Sequence, residues 1–283
     1  MTPERSGLTR SDSLHRQVAR TLRNHIEAGT LRDGDVLPST RELAEQWGVS
    51  VFTISEAMKL LIAEGLVVTK SRSKRIVNSN HTAAQEKVRL RNPLVIMVGG
   101  FAGSGKTELG RILARETGWP ILDKDTLTRP VVEAALEVLG LSPNDRESEA
   151  YLSVIRPREY EALAAATLEN VSCGNSAIVT APFLREFGDT AWLARTQATF
   201  STHNASTHFV WMHCDPDTMH TYIRHRGAAR DAAKLADWPG YLASIDTDFR
   251  PAIRHDVIDN CSSGVPLQTQ AKNLLSNVLD GAL

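Results

Sequence analysis

The chain has 283 residues, 42 % of them apolar and 23 % charged, with a net charge of −1. That composition is ordinary for a folded soluble protein, and the length exceeds a typical single domain, so two domains are expected. The longest apolar runs fall far short of the roughly 20 residues that a bilayer span needs, and neither end reads as a signal peptide. A cytoplasmic protein with no membrane partner is the expectation.

The near-zero charge hides an asymmetry: residues 1–91 carry 15 Lys and Arg against 10 Asp and Glu, and residues 92–283 carry 17 against 23. The two parts should prefer different partners, and a modestly basic N-terminal part is compatible with nucleic acid. Cys173, Cys214 and Cys261 are odd in number and widely spaced, which supports neither a disulfide framework nor a zinc knuckle. The histidines, including His203, His208, His213, His220, His225 and His255, show no ligand spacing along one helix face.

Leu14, Val18, Leu22 and Ile26 recur every four residues with Arg16, Arg20 and Arg23 between them, which predicts an amphipathic helix ending at Gly29. Ser39-Thr40-Arg41-Glu42 is a capping box that opens a short helix, and Gly48 breaks it. Ser50 caps the next helix, whose Ile54, Ala57, Met58, Leu61 and Ile62 form an apolar stripe up to Gly65. Two short helices across a tight glycine turn give helix-turn-helix geometry. Leu66-Val67-Val68 and Ile76-Val77 flank Lys70-Ser71-Arg72-Ser73-Lys74-Arg75, a hairpin with a basic tip. Together these predict a winged-helix DNA-binding domain over residues 1–77, its second paired helix in the major groove and its wing on phosphate.

Residues 13–77 resemble the GntR-family winged-helix domain. The resemblance rests on Gly29, Gly34-Asp35-Val36-Leu37-Pro38-Ser39, Arg41-Glu42-Leu43-Ala44, Gly48-Val49-Ser50, Thr53, Ala57 and Glu64-Gly65-Leu66-Val67. It implies phosphate and base contacts by Arg41, Ser50 and Thr53. The expected DNA-facing set is Ser39, Thr40, Arg41, Ser50 and Thr53, with Arg72 and Lys74 on the wing and double-stranded operator DNA as partner. Val51 and Ser55 stand where the family usually has arginines, so direct base readout should be lowered or redirected.

Residues 78–92 are polar and mixed in charge and read as a linker ending at Pro93. Leu94-Val95-Ile96-Met97-Val98 then runs into a glycine cluster and an apolar-periodic segment with Leu109, Ile112 and Leu113, which predicts buried strand, tight loop and helix. Gly100 to Thr107 fits G-x-x-x-x-G-K-S/T in that setting. A phosphate chain must be approached by consecutive backbone N–H groups, which side chains at Gly100, Gly103 and Gly105 would block. Lys106 supplies a mobile charge to the β/γ-phosphates and Thr107 a ligand to Mg²⁺. The expected nucleotide-binding set is Gly100, Ala102, Gly103, Ser104, Gly105, Lys106, Thr107 and Glu108, with Arg226 and Arg230.

Further strands are predicted at 120–126, 176–182, 209–216 and 257–260, separated by helical periodicities that include 131–139, 158–171 and a closing helix at 267–279. Strands alternating with helices give an α/β fold, a parallel sheet covered on both faces, over residues 93–283. Asp125, with Asp123 second, is the acid expected to face the γ-phosphate, holding the Mg²⁺ shell or accepting a hydroxyl proton. The alternative is an Asp-rich turn capping the next helix. A Walker B strand would end in Asp, where Thr180 and Ala181 stand. Arg156 and Arg158 either clamp an anionic substrate or pair with Glu159 and Glu161. Arg226 and Arg230, after the fourth strand, are placed to close over the nucleotide as a lid, the alternative being a solvated helix face.

Gly100 to Thr107, Asp125, Arg226, Arg230 and Asp231 give residues 93–283 a resemblance to P-loop small-molecule kinases, the AAA, zeta-toxin and chloramphenicol phosphotransferase-like ATP-binding domains. The resemblance implies ATP with Mg²⁺. Two functions follow. In one, a GntR-type regulator uses a nucleotide, ATP, another NTP or ADP, as effector, with a second small-molecule ligand as a further partner and a homodimer reading paired half-sites. In the other, an ATP-dependent phosphotransferase acts on a hydroxyl through Asp125, Lys106, Arg226 and Arg230.

Overall fold

Three helices, α1 (Leu14–Glu27), α2 (Thr40–Trp47) and α3 (Val51–Ala63), precede a hairpin of β1 (Val67–Thr69) and β2 (Arg75–Val77) in the computed structural model, which describes residues 13–70, 74–78, 88, 90–261 and 264–280. Both halves of the capping box form: Ser39 Oγ accepts the Glu42 N–H at 3.2 Å, and the Ser39 N–H donates to Glu42 Oε2 at 2.7 Å. Gly48 ends α2 in the left-handed region at φ +62°, and Ser50 Oγ then accepts the Thr53 N–H at 3.0 Å to start α3. Leu22, Ile26, Leu43, Ile54, Met58, Leu61, Val67 and Val77 meet in one apolar cluster. An isolated bridge from Val36 to Ile76 adds a third extended segment to the hairpin. The tip, with Arg72, lies outside the described residues.

The second unit is a five-stranded parallel sheet in the order β4-β5-β3-β6-β7, with β3 (Leu94–Gly100), β4 (Ile121–Asp123), β5 (Ala177–Thr180), β6 (Ser206–His213) and β7 (Asp256–Asp259). Successive residues of β3 serve opposite faces, as a strand's two-residue period requires. Leu94, Ile96 and Val98 pack with Leu109 and Leu113 of α4 (Lys106–Thr117) and with Leu274 of α11 (Leu267–Asp280). Val95 and Met97 pack with Leu163 of α6 (Arg156–Ser172) and Leu193 of α7 (Thr190–Ser201). Burial on both faces explains why these strands read as continuous apolar runs.

The expected second strand does not reach residue 126. It ends at Asp123, whose carboxylate accepts the Thr126 N–H at 2.9 Å and so caps α5 (Lys124–Val138). Asp125 therefore lies in the first turn of a helix. After β6 come α8 (Pro216–Arg226), α9 (Ala232–Ala236) and α10 (Trp238–Ala243). A five-residue π-helical turn, Tyr151–Ile155, leads into α6. Among the described residues no helix is long and apolar enough to cross a membrane.

Candidate functional site

The phosphate loop joins β3 to α4. Gly103 and Gly105 sit at φ +78° and +93°, and a Cβ at Gly103 would stand 2.7 Å from the Met219 carbonyl oxygen. Close approach of α8 therefore adds a steric reason for glycine to the conformational one. Lys106 Nζ donates to the Phe101 carbonyl at 2.7 Å. Burial, followed by the neighbouring Arg226, draws the Lys106 ammonium down to about 8. Ser104 is buried, with its Oγ unpartnered, and Ala102 and Glu108 complete the loop's share of the cavity wall.

On the β4/β5 flank the acid at the Thr107 hydroxyl is Asp123. Thr107 Oγ1 donates to Asp123 Oδ2 at 3.0 Å, and Thr180 Oγ1 donates to the same oxygen at 2.7 Å. Asp123 and Thr180 are register partners of β4 and β5. The carboxylate missing from the end of β5 is thus supplied by the adjacent strand. Asp125 is held instead between Lys124 Nζ at 3.0 Å and Arg230 Nη2 at 3.1 Å. Burial works against its charge, but Lys124 and Arg230 outweigh that and bring it down to about 2. Lys124 also meets Glu159 at 2.7 Å, and Glu159 accepts from Thr128 at 2.8 Å and Tyr151 at 2.7 Å. A buried ion pair this fully hydrogen-bonded locks α5 to α6 and fixes where Asp125 stands.

Arg226, at the end of α8, donates through Nε to the buried Asp231 at 3.1 Å. Arg226 and Arg230 both line one cavity of about 730 Å³ with Gly103, Lys106, Thr107, Asp123 and Asp125, a volume ordinary for a small-ligand site. The same cavity holds Arg156, weighed above as an anion clamp, together with Arg146, Tyr151, Tyr160 and Tyr241, which carried no recognisable motif. Arg156 pairs with Glu186 at 2.8 Å, a partner 30 residues away, and not with Glu159 or Glu161. Arg158 pairs with Glu161 at the surface and is absent from the cavity wall. His213, Asp259 and Cys261 place their ligand atoms within 4.8 Å of one another across β6 and β7, a grouping invisible to a search along single helices.

The β6/β7 flank meets the winged helix. Val18, Ala19, Leu22 and Ile26 of α1 face their own core, but Arg20, Thr21, Asn24 and Glu27 are buried as well. Arg20 Nη1 donates to the Gly264 carbonyl at 3.0 Å and Nη2 to Asn260 Oδ1 at 3.3 Å. Asn260 Nδ2 in turn donates to the Ser104 carbonyl at 3.1 Å. Asn24 Nδ2 donates to the Tyr222 hydroxyl at 3.3 Å, and Arg111 Nη1 to Thr30 Oγ1 at 3.1 Å. The His225 ring lies 3.5 Å from that of Trp47 and stacks with that of His25 at 5.9 Å, centroid to centroid.

The expected DNA-facing residues lie on α2, α3 and the wing, with the Trp47-Gly48 turn between the two helices set against His225 and Arg224 of α8. Arg41, Ser39, Ser50 and Lys74 are exposed, and Thr40 accepts from Arg75 Nη1 of β2 at 2.8 Å, tying the wing to α2. Ser50 and Thr53 share a hydroxyl hydrogen bond of 2.8 Å. Ser55 Oγ donates to the Val51 carbonyl of its own helix at 2.9 Å, while Phe52 is 72 % and Val51 48 % exposed. The first turn of α3 therefore presents apolar surface where arginine was the expected residue type.

Residues 14–76 match the family model for bacterial regulatory proteins of the gntR family, and residues 95–246 match that of an AAA domain. Over 104 residues the chain is 35 % identical to the shikimate kinase of Moorella thermoacetica, covering 35 % of this chain and 56 % of that protein. It is 32 % identical over 120 residues to the vitamin B6 salvage pathway transcriptional repressor PtsJ of Salmonella typhimurium, covering 42 % of this chain and 28 % of PtsJ. The chain thus spans just over half the length of the first relative and under a third of the second. A gluconokinase structure from Sinorhizobium meliloti 1021 superposes with a TM-score of 0.41 at 18 % identity, covering 69 % of this chain and 99 % of that one. A gntR-type domain implies DNA binding and a P-loop kinase-like domain implies nucleotide binding. The chain belongs to the AAA-domain family, with a gntR-family regulatory domain joined ahead of its P-loop.

Proposed function

We propose that this chain is a transcription regulator whose winged helix binds operator DNA and whose P-loop domain takes ATP, or a related NTP or ADP, with Mg²⁺ as its effector. The observation that carries this reading is the path from Arg20 of α1 through Asn260 to the Ser104 carbonyl. It makes the phosphate loop and the seat of the DNA-reading domain parts of one polar network. The loop amides, Lys106, Arg226 and Arg230 would hold the phosphates. Hard oxygen donors suit Mg²⁺, and the Thr107 hydroxyl with Asp123 at 3.0 Å supplies them, in place of the expected Asp125. The metal would neutralise charge between adjacent phosphates. Two copies reading paired half-sites make a homodimer the working form.

A phosphotransferase is the second reading, favoured by Arg146, Arg156 and Tyr151 lining the cavity on the β4/β5 flank. Against it, an Asp125 carboxylate drawn down to about 2 by Lys124 and Arg230 is a weak proton acceptor. The test is binding of the full chain to its own upstream DNA with and without ATP, ADP and GTP plus Mg²⁺, with Lys106→Ala and Asp125→Asn beside the wild type. The regulator reading expects a several-fold shift in DNA affinity that Lys106→Ala abolishes and Asp125→Asn preserves. DNA binding that ignores every nucleotide, while ATP is bound, would overturn it in favour of phosphoryl transfer.

A further inference from the structure

Thr107 meets Asp123 of β4 and Thr180 of β5, so the metal and the terminal phosphate belong to that flank of β3. The nucleoside end of a ligand in the loop is left the other flank. There β6 runs into α8, and β7 into the segment that Arg20 holds at Asn260 and Gly264. The cavity that contains Lys106 and Thr107 is lined also by Glu108 and Arg111 of α4, by Tyr222 and His225 of α8, and by His25 of α1. His225 Nδ1 is buried without a hydrogen-bond partner.

We propose that the nucleoside of the bound nucleotide is received by a site shared between the two domains, with His25 of the winged helix facing Tyr222 and His225 of the P-loop domain. This rests on nucleotide binding at the phosphate loop as described above and adds to it a ligand contact made by the DNA-reading domain itself. The ligand class is a nucleoside triphosphate with an aromatic base. Burial lowers both imidazoles, His225 to about 4 with His25 as the second cause, so both rings are neutral near pH 7 and suited to stacking on a neutral base. His225 Nδ1 gains the partner it lacks. Because His25 travels with α1, occupancy of the phosphate loop and seating of the winged helix become linked equilibria, each strengthening the other. Val51 and Phe52 in the first turn of the recognition helix stay exposed in this docking, although the turn before them touches His225 and Arg224. The ligand therefore sets the orientation of the reading head and leaves Val51 and Phe52 open.

The test compares ATP with inorganic tripolyphosphate, which carries the phosphates without a nucleoside, in calorimetric titrations of the full chain with Mg²⁺. Wild type, Lys106→Ala, His25→Ala and His25→Phe are titrated, and circular dichroism checks that each variant is folded. The expected result is that His25→Ala weakens ATP about tenfold and leaves tripolyphosphate unchanged, while His25→Phe, which keeps a stacking ring, retains most of the ATP affinity. Lys106→Ala should lose both ligands. Equal ATP affinity in wild type and His25→Ala, or parallel losses of ATP and tripolyphosphate, would overturn the shared site while leaving the phosphate loop intact. Failure of the wild type to bind either ligand would instead overturn the nucleotide reading on which it rests.

Discussion

Glu27 offers a perturbation whose size and sign follow from its surroundings. It closes α1, where the negative end of the helix dipole disfavours a carboxylate, and it is 6 % exposed with Oε2 unpartnered. Burial, partly offset by Arg23 and Lys272 and reinforced by Glu64 and Glu116, raises its pKa from 4.5 to about 7. An acid raised in the folded state contributes stability that is complete below its unfolded pKa and lost as pH climbs through the folded value. The window therefore runs from 4.5 to about 7. At about 1.4 kcal/mol per unit, the ionised group costs about 3 kcal/mol above that window, a ceiling because relaxation lowers it. Glu27→Gln removes the charge and keeps the shape. Its melting curve should nearly coincide with that of the wild type near about pH 4 and separate between roughly pH 5 and 7. Above about pH 8 the variant should be the more stable by several degrees, since 1 kcal/mol moves a chain of this size by roughly 2–4 °C. The histidines of the interface are common to both proteins and cancel in the difference. An offset independent of pH, or a variant less stable above about pH 8, would refute the reasoning.

Gly103→Ala should abolish nucleotide binding and lower the melting temperature, because the new Cβ meets the Met219 carbonyl at 2.7 Å at a φ of +78°; calorimetry with ATP and a thermal melt check both. Ser39→Ala removes the hydroxyl that accepts the Glu42 N–H while leaving the backbone half of the capping box, and should cost about 1 kcal/mol in urea unfolding. On DNA, Arg41→Ala should weaken specific and random sequences alike and reduce the slope of log affinity against log salt by about 1. Phe52→Ala should leave that slope alone and lower the ratio of specific to random binding, because an exposed ring on α3 would contact apolar base edges such as the thymine methyl.

Local chemistry made much of this molecule legible. The capping box, the glycine that ends α2 and the strand-loop-helix of the phosphate site are each written in fewer than fifteen consecutive residues, and each forms as its spacing implies. The acid at Thr107 was not legible in the same way. Choosing between Asp123 and Asp125 requires knowing that β4 pairs with β5 so that Asp123 stands opposite Thr180, and strand pairing is a property of the whole sheet. Arg156 similarly finds Glu186 across 30 residues and not the nearer acids on its own helix. The largest gap concerned α1. Its four-residue repeat of leucine, valine and isoleucine identified the face turned to the winged-helix core, and the arginines between read only as the polar side of an amphipathic helix. Arg20 in fact meets Asn260 and Gly264 some 240 residues later, a contact to which no periodicity within the helix points.

That second buried face is polar, and its polarity bears on regulation. An apolar interface between the domains would hold them in one arrangement. Here the buried surface of α1 carries Arg20, Thr21, Asn24 and Glu27, with Arg20 Nε, Asn24 Oδ1 and Glu27 Oε2 unpartnered. Each buried polar atom without a partner costs about 1–3 kcal/mol, so seating is opposed by several such terms while the Arg20 and Asn260 hydrogen bonds favour it. A balance of that kind leaves the seated and released forms within reach of a ligand. Tenfold regulation needs only about 1.4 kcal/mol of difference in ligand affinity between two arrangements. One stacking contact with His25 lies in that range. That contact is lost once α1 leaves, because His25 travels with the winged helix while His225 stays with the P-loop domain. The differential affinity that the proposed nucleotide-driven switch requires would therefore come from the composition of the interface, with no need for the phosphate loop itself to change shape.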